Sequence, residues 1–224
     1  MQKFMQVTIV SGLSLFLLLV QGCKKDKEEE NSNSWTEEFV DMDNLFQNKW
    51  MVFNNGIDAL GTTWQQGFYE ADKMGGYLGF KAYSSSSGEF GEYAFAGQTS
   101  FTLTSVASSW LVTAPVQLKN DDKFSFYTRC DSSIVAPHTL EVRLSESEFP
   151  TAGTGPADVG NFTKLLLTVN PNKTQDGYPM TWKKIEVTVS GLPGEVKGRI
   201  AFRYMSLGQL DGGIGIDQLV YTSK

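Results

Sequence analysis

From Trp35 onward, apolar and polar residues alternate with a period of two. Phe124, Phe126 and Thr128 alternate with Ser125, Tyr127 and Arg129, and Leu140, Val142 and Leu144 with Glu141 and Arg143. Ile185, Val187 and Val189 alternate with Lys184, Glu186 and Thr188, and Ile200, Phe202 and Tyr204 with Ala201, Arg203 and Met205. Successive strand side chains point to opposite faces, so each segment predicts a half-buried strand of an antiparallel sheet with one wet face. Shorter candidates lie at 38–40, 50–53, 65–69, 77–83, 101–104, 110–113, 162–168 and 214–221. Together they make roughly ten to twelve strands, separated by turns rich in Gly, Ser, Asn and Pro. No window of a dozen residues carries a helical stripe. The pattern predicts an all-β chain, an antiparallel β-sandwich of jelly-roll type.

Three places break the rhythm. In the last strand Ile214 and Ile216 are in phase, but Leu219 and Tyr221 are out of phase with them. A slip of one residue would send every later side chain to the wrong face, so it predicts a bulge at Asp217–Gln218. The stretch 83–97 reads as a flexible polar loop studded with aromatics, and 146–160 as a long Gly- and Pro-rich loop. Loops of that length in a compact domain are usually functional or disordered.

Ahead of the strands, Lys3 precedes an apolar run from Val7 to Val20, which ends in Gln21-Gly22-Cys23. A charged start, a short apolar core and a small residue before the cut make a secretory signal over residues 1–22. The run is shorter than the roughly 20 residues that a spanning helix needs. The cysteine placed directly after the small residue resembles the bacterial lipobox, which implies lipidation at Cys23. Lys24 to Ser34 can build no core, so residues 23–34 read as a lipidated cysteine and a charged tether. Charges in that place resemble the export tag of Bacteroidetes outer-membrane lipoproteins. The expectation is an outer-membrane lipoprotein exposed at the cell surface, followed by a single domain over 35–224.

Charge narrows the partners. The chain has 19 basic and 25 acidic side chains and one histidine, a net charge of −6. Such a balance argues against nucleic acid, where a basic stripe supplies most of the affinity. With Cys23 lipidated, Cys130 has no disulfide partner and reads as a small buried hydrophobe. The sole histidine, His138, has no nearby partners for a catalytic triad or a metal centre.

The order of short motifs then adds a family. It runs through Glu38-Phe39, Lys49-Trp50, Thr63-Trp64-Gln65, Ser109-Trp110-Leu111, Leu140 to Ser145, Trp182, Arg199 to Tyr204 and Ile214 to Val220. This order resembles the choice-of-anchor J and cleaved-adhesin domains of Bacteroidetes surface proteins, which are similar to MAM-like jelly rolls. A domain-of-unknown-function group of Bacteroides lipoproteins is similar in the same way. The resemblance implies a structural calcium ion joining the last strand to the first, held by Asp217 together with Glu38 or Asp41. Calcium suits such a place because it accepts six to eight oxygens in loose geometry.

Sugars are gripped by flat aromatic rings with polar neighbours. Tyr83, Phe90, Tyr93 and Phe95 in the aromatic loop, and Tyr178 and Trp182 around a later turn, are the candidate ligand-binding residues. The functional expectation is a non-catalytic surface module for glycans or other extracellular macromolecules. An adhesin or structural subunit that binds another surface protein is the alternative. A concanavalin-like hydrolase using Glu141 and Glu186 is weaker, because strand-face glutamates ordinarily only solvate a sheet.

Overall fold

The alternating segments fold as strands. The structure, a computed structural model, describes residues 33–57, 63–71, 77–99, 104–131, 137–208 and 211–224. The signal segment, Cys23 and the tether up to residue 32 lie outside the described residues, as do 101–103 of one expected strand. In chain order the first elements are β1 (Trp35–Glu37), α1 (Met42–Gln47), β2 (Met51–Asn54), β3 (Gln65–Gln66), β4 (Tyr69–Ala71) and β5 (Tyr77–Gly79). Next come β6 (Ala94–Thr99), β7 (Val106–Val112), β8 (Val116–Leu118), β9 (Lys123–Cys130) and β10 (Thr139–Ser145). The last are β11 (Lys164–Val169), β12 (Lys183–Thr188), β13 (Val196–Leu207) and β14 (Asp211–Thr222).

One antiparallel sheet runs β12-β9-β14-β6-β3, with β1 also on β14. The other runs β11-β10-β13-β7-β2, with β8 also on β13, and β4 and β5 form a separate pair. This is an antiparallel β-sandwich. Phe124, Phe126, Leu140, Val142, Leu144, Ile200, Phe202, Ile214 and Ile216 are all buried in the layer between the sheets. Cys130 is buried there as a free thiol, and burial pushes its pKa up.

The phase slip in β14 has a structural reason. Residues 211–216 pair with β6, whereas 219–221 pair with β1. The register against β9 shifts between Asp217 and Val220, and Gln218 takes φ 46°. The bulge is therefore where the last strand changes neighbours. It returns Leu219 and Tyr221 to the core and leaves Asp217 fully buried.

The expected wet faces are largely covered. On the outer face of the second sheet, Ala201 and Arg203 are buried with Trp110, Val112, Ala152 and Phe162. The 146–160 loop supplies this cover: Arg203 stacks over Trp110 at 4.7 Å, pairs with Glu141 at 3.2 Å and donates to the carbonyl of Pro156. On the outer face of the first sheet, Phe80, Tyr93 and Phe95 form a third cluster with Phe68 and Trp182. Two glycines make room for these rings. A Cβ on Gly215 would meet Phe80 at 2.7 Å and Trp182 at 3.0 Å, and one on Gly213 would meet Phe95 at 2.6 Å.

Some boundaries differ from expectation. Residues 94–97 belong to β6 rather than to a loop, and the first strand is 35–37, not 38–40. Between β1 and β2 the chain forms the short helix α1, capped by Asp41, whose Oδ1 accepts from Asp43 N at 2.9 Å and Asn44 N at 3.2 Å. Its apolar face is only Met42 and Leu45, too short a stripe to register in a dozen-residue window.

Candidate functional site

Burial sorts the six aromatic candidates. Tyr93 and Tyr178 are core residues, not platforms. The Tyr93 hydroxyl donates to Phe68 O at 2.8 Å and accepts from Phe68 N at 3.1 Å, and burial pushes its pKa up to about 12. The Tyr178 hydroxyl lies 2.6 Å from Thr128 Oγ1 in the core, with its pKa raised by burial. Phe95 is buried over the sheet glycines. Trp182 is half-buried edge-on to Phe80 and Tyr93 at 5.5 and 5.7 Å, and its Nε1 donates to Lys81 O at 2.8 Å. Tyr93, Phe95 and Trp182 hold the outer cluster together, with Phe95 and Trp182 lying over the glycines of β14.

Tyr83 and Phe90 stay at the surface, 42% and 50% exposed. One face of Tyr83 is covered by Tyr127, stacked at 3.5 Å. Phe90 meets Tyr69 edge-on at 5.8 Å, and Lys81 Nζ lies 4.4 Å above the Phe90 ring and 5.3 Å above Tyr69. Phe90 and Tyr69 wall a cleft of about 340 Å³ that also takes in Val40, Gln66, Glu70, Ser87, Glu89 and Glu92. That volume lies in the range of small-ligand sites.

The cleft is braced from beneath. Gln66 Nε2 donates to Phe39 O at 2.9 Å and Gly91 O at 2.7 Å, while its Oε1 accepts from Met42 N at 3.0 Å. One amide thus ties the segment bearing Val40 to the loop bearing Phe90. Glu92 is buried and accepts from Ser86 N at 2.6 Å, Ser87 N at 3.2 Å and Ser87 Oγ. The Ser87 hydroxyl bond foremost, with the two amides, holds its pKa below the usual carboxylate value. The serine run therefore folds back over a buried carboxylate. Nothing in the sequence singled out Tyr69, Gln66 or Lys81, since each sits inside or beside an expected strand.

Two further clefts adjoin the helix. One of about 480 Å³ is lined by Trp35, Val40, Asp41, Asn44, Asn48, Trp50 and Pro115, and one of about 690 Å³ by Lys49, Pro115, Glu148, Phe149 and Lys197.

Of the residues expected to hold calcium, Asp41 and Asp217 are both engaged with backbone amides. The carboxylate of Asp41 is engaged in capping α1. Asp217 Oδ2 accepts from Tyr83 N at 2.8 Å and Ser84 N at 3.1 Å, and its Oδ1 from Gln218 N at 2.6 Å. Burial lifts its pKa to about 7 against these bonds, and the charge of Glu38 adds to the lift. Among the described residues no group of three or more His, Cys, Asp or Glu side chains gathers as a metal site.

The hydrolase pair is not assembled. Glu141 lies on β10 in one sheet and Glu186 on β12 in the other. Burial raises the pKa of Glu141, but Arg143 at 2.6 Å and Arg203 at 3.2 Å outweigh it and hold the carboxyl below its usual value. Glu186 pairs in the open with Lys184 at 3.1 Å.

No family model matches the sequence. No curated protein matches it either. Solved structures do share the fold. The K1 cleaved adhesin domain of Lys-gingipain from Porphyromonas gingivalis superposes with a TM-score of 0.52 at 17% identity, over 85% of this chain and 98% of that one. The K3 cleaved adhesin domain of the same protein gives 0.53 at 17% identity, over 84% and 98%. At these identities the likeness shows a common β-sandwich fold, the class to which this molecule belongs.

Proposed function

We propose that this protein is a non-catalytic binding module that takes a glycan in the Tyr69–Phe90 cleft. The observation that carries this reading is the pair of exposed Phe90 and half-buried Tyr69 walling a cleft with polar neighbours, the Phe90 loop being braced by Gln66 and Glu92. Rings supply a face for sugar C–H groups, and the exposed carboxylates of Glu70 and Glu89 supply partners for sugar hydroxyls. The similar domains of Lys-gingipain carry the word adhesin in their names, which supports binding as the common task. The lipobox and tether read from the sequence would hold this cleft at the outer membrane surface. A glycan array with the wild-type protein and Phe90→Ala tests the reading. Binding that disappears in Phe90→Ala, with the melting temperature unchanged, supports it; a flat array, or binding indifferent to the substitution, overturns it.

Protein recognition is the second reading, and one residue favours it. Phe149 is 84% exposed at the rim of the largest of the three clefts. A flat array, together with cross-linking to a surface protein that is lost in Phe149→Ser, would establish this reading in place of the first.

The calcium ion is part of the proposal, with Asp217 and Glu38 as the pair of carboxylates that would hold it. A buried carboxyl that feels the charge of Glu38 offers hard-oxygen chemistry that suits this cation.

A further inference from the structure

Resting on the glycan reading, we infer that the ligand is an uncharged polysaccharide chain that runs through two clefts meeting at Val40. The Tyr69–Phe90 cleft and the Trp35–Trp50 cleft both count Val40 among their walls. Val40 is 46% exposed, so it forms a low sill between the two rather than a partition. Each cleft, at about 340 and 480 Å³, has the size of a small-ligand site, and an occupant of both is longer than either alone accommodates.

The second cleft repeats the chemistry of the first. The half-buried Trp35 meets the core residue Trp50 edge-on at 6.2 Å, and the exposed side chains of Asn44 on α1 and Asn48 just after it line the same cleft. A partly exposed ring with amide and carboxylate neighbours therefore occurs on both sides of Val40. Gln66 holds the two halves in register through its bonds to Phe39 O, Met42 N and Gly91 O.

Charge then selects the polymer. Glu37 and Asp41 line one cleft, and Glu70, Glu89 and Glu92 the other, while neither lining contains a lysine or an arginine. Lys81 is the cation placed nearby, over the faces of Tyr69 and Phe90. A uronate or sulfate-bearing chain would meet like charge from Glu37, Asp41, Glu70 and Glu89 against the single nearby charge of Lys81, on a molecule whose net charge is already −6. A neutral chain meets hydroxyl acceptors without that repulsion.

Affinity gel electrophoresis tests the charge, with mixed-linkage β-glucan, galactomannan and arabinoxylan as neutral probes and polygalacturonate and alginate as anionic ones. At least one neutral polymer should retard the protein, and neither anionic polymer should. Calorimetry with the dimer, tetramer and octamer of the retarding polymer then tests the length. The octamer should bind about 10-fold or more tightly than the dimer, as a ligand engaging two linked subsites does. Asn44→Ala and, independently, Asn48→Ala, both confined to the Trp35–Trp50 cleft, should bring the octamer to the dimer's affinity and leave dimer binding intact. An octamer no tighter than the dimer, or retardation by an anionic polymer, overturns the inference while Phe90-dependent binding still upholds the glycan reading. No binding to any glycan, here and on the array, overturns that reading itself.

Discussion

At the residue scale, burial separates what a side chain could do from what it does here. The sequence showed six aromatics near turns, but a ring in a turn and a ring folded onto the sheet look alike in one dimension. Tyr93 and Phe95 alternate with Ala94 and Ala96, and that small-residue period was the available sign that a strand begins there. His138 is a second case. It sits in the core with Nδ1 3.1 Å from the Tyr204 hydroxyl, between the rings of Tyr178 and Tyr204, and its Nε2 has no partner. Burial lowers its pKa from 6.5 to about 4, and Asp131 opposes that only weakly. The folded state therefore keeps this imidazole neutral, while the unfolded chain takes up a proton once the pH falls below about 6.5. Stability from this group is whole above that pH and is lost towards pH 4, by about 3 kcal/mol. Urea denaturation of wild type and His138→Phe at pH 7, 5.5 and 4.5 should show the gap between them narrowing as the pH falls. A constant gap would mean that His138 carries no such linkage.

At the scale of elements, the central strands were legible and their covers were not. Alternation found β9, β10, β12, β13 and β14 because one face of each enters the shared core. It could not say what lies on the other face, since Ala201 and Arg203 read as solvent-facing until the 146–160 loop is folded over them. Arg203 is consequently a buried charge with one carboxylate partner and a tryptophan face. Arg203→Ala leaves Glu141 with only Arg143 and opens a space beside Trp110. Loss of a buried pair of this kind costs about 3–5 kcal/mol, measurable as a lowered urea midpoint. The glycines of β14 play the complementary part on the other sheet. In Gly215→Ala the new methyl meets the rings of Phe80 and Trp182, and overpacking of this sort costs about 1–3 kcal/mol. Tryptophan emission should shift as Trp182 is lifted from the sheet. An unperturbed spectrum and midpoint would show that the outer cluster yields freely.

Taken as a whole molecule, the domain closes its chain on itself, which gives the bulge in β14 a wider role. β1 lies antiparallel on β14, with Trp35 opposite Tyr221 and Glu37 opposite Leu219, and Ser223 N donates to Ser34 Oγ at 3.0 Å. Asp217 stands at the step where β14 leaves β6 for β1, and it also holds the amides of Tyr83 and Ser84 at the root of the loop that carries Phe90. The fold class and the bulge could be read from periodicity, whereas this junction could not, because it joins residues 35–37, 83–84 and 217–221. A cation shared by Asp217 and Glu38 would tie the first strand, the last strand and the binding loop at one point. The wild-type protein should then melt roughly 5–10 °C higher in calcium at about 100 times its dissociation constant than in a chelator. Asp217→Asn keeps the side chain's shape and should melt at one temperature in both buffers. Equal melting temperatures for the wild type would leave Asp217 as a buried carboxyl that organises backbone amides alone, with the two chain ends joined by the β1–β14 pairing and the packing of Trp35.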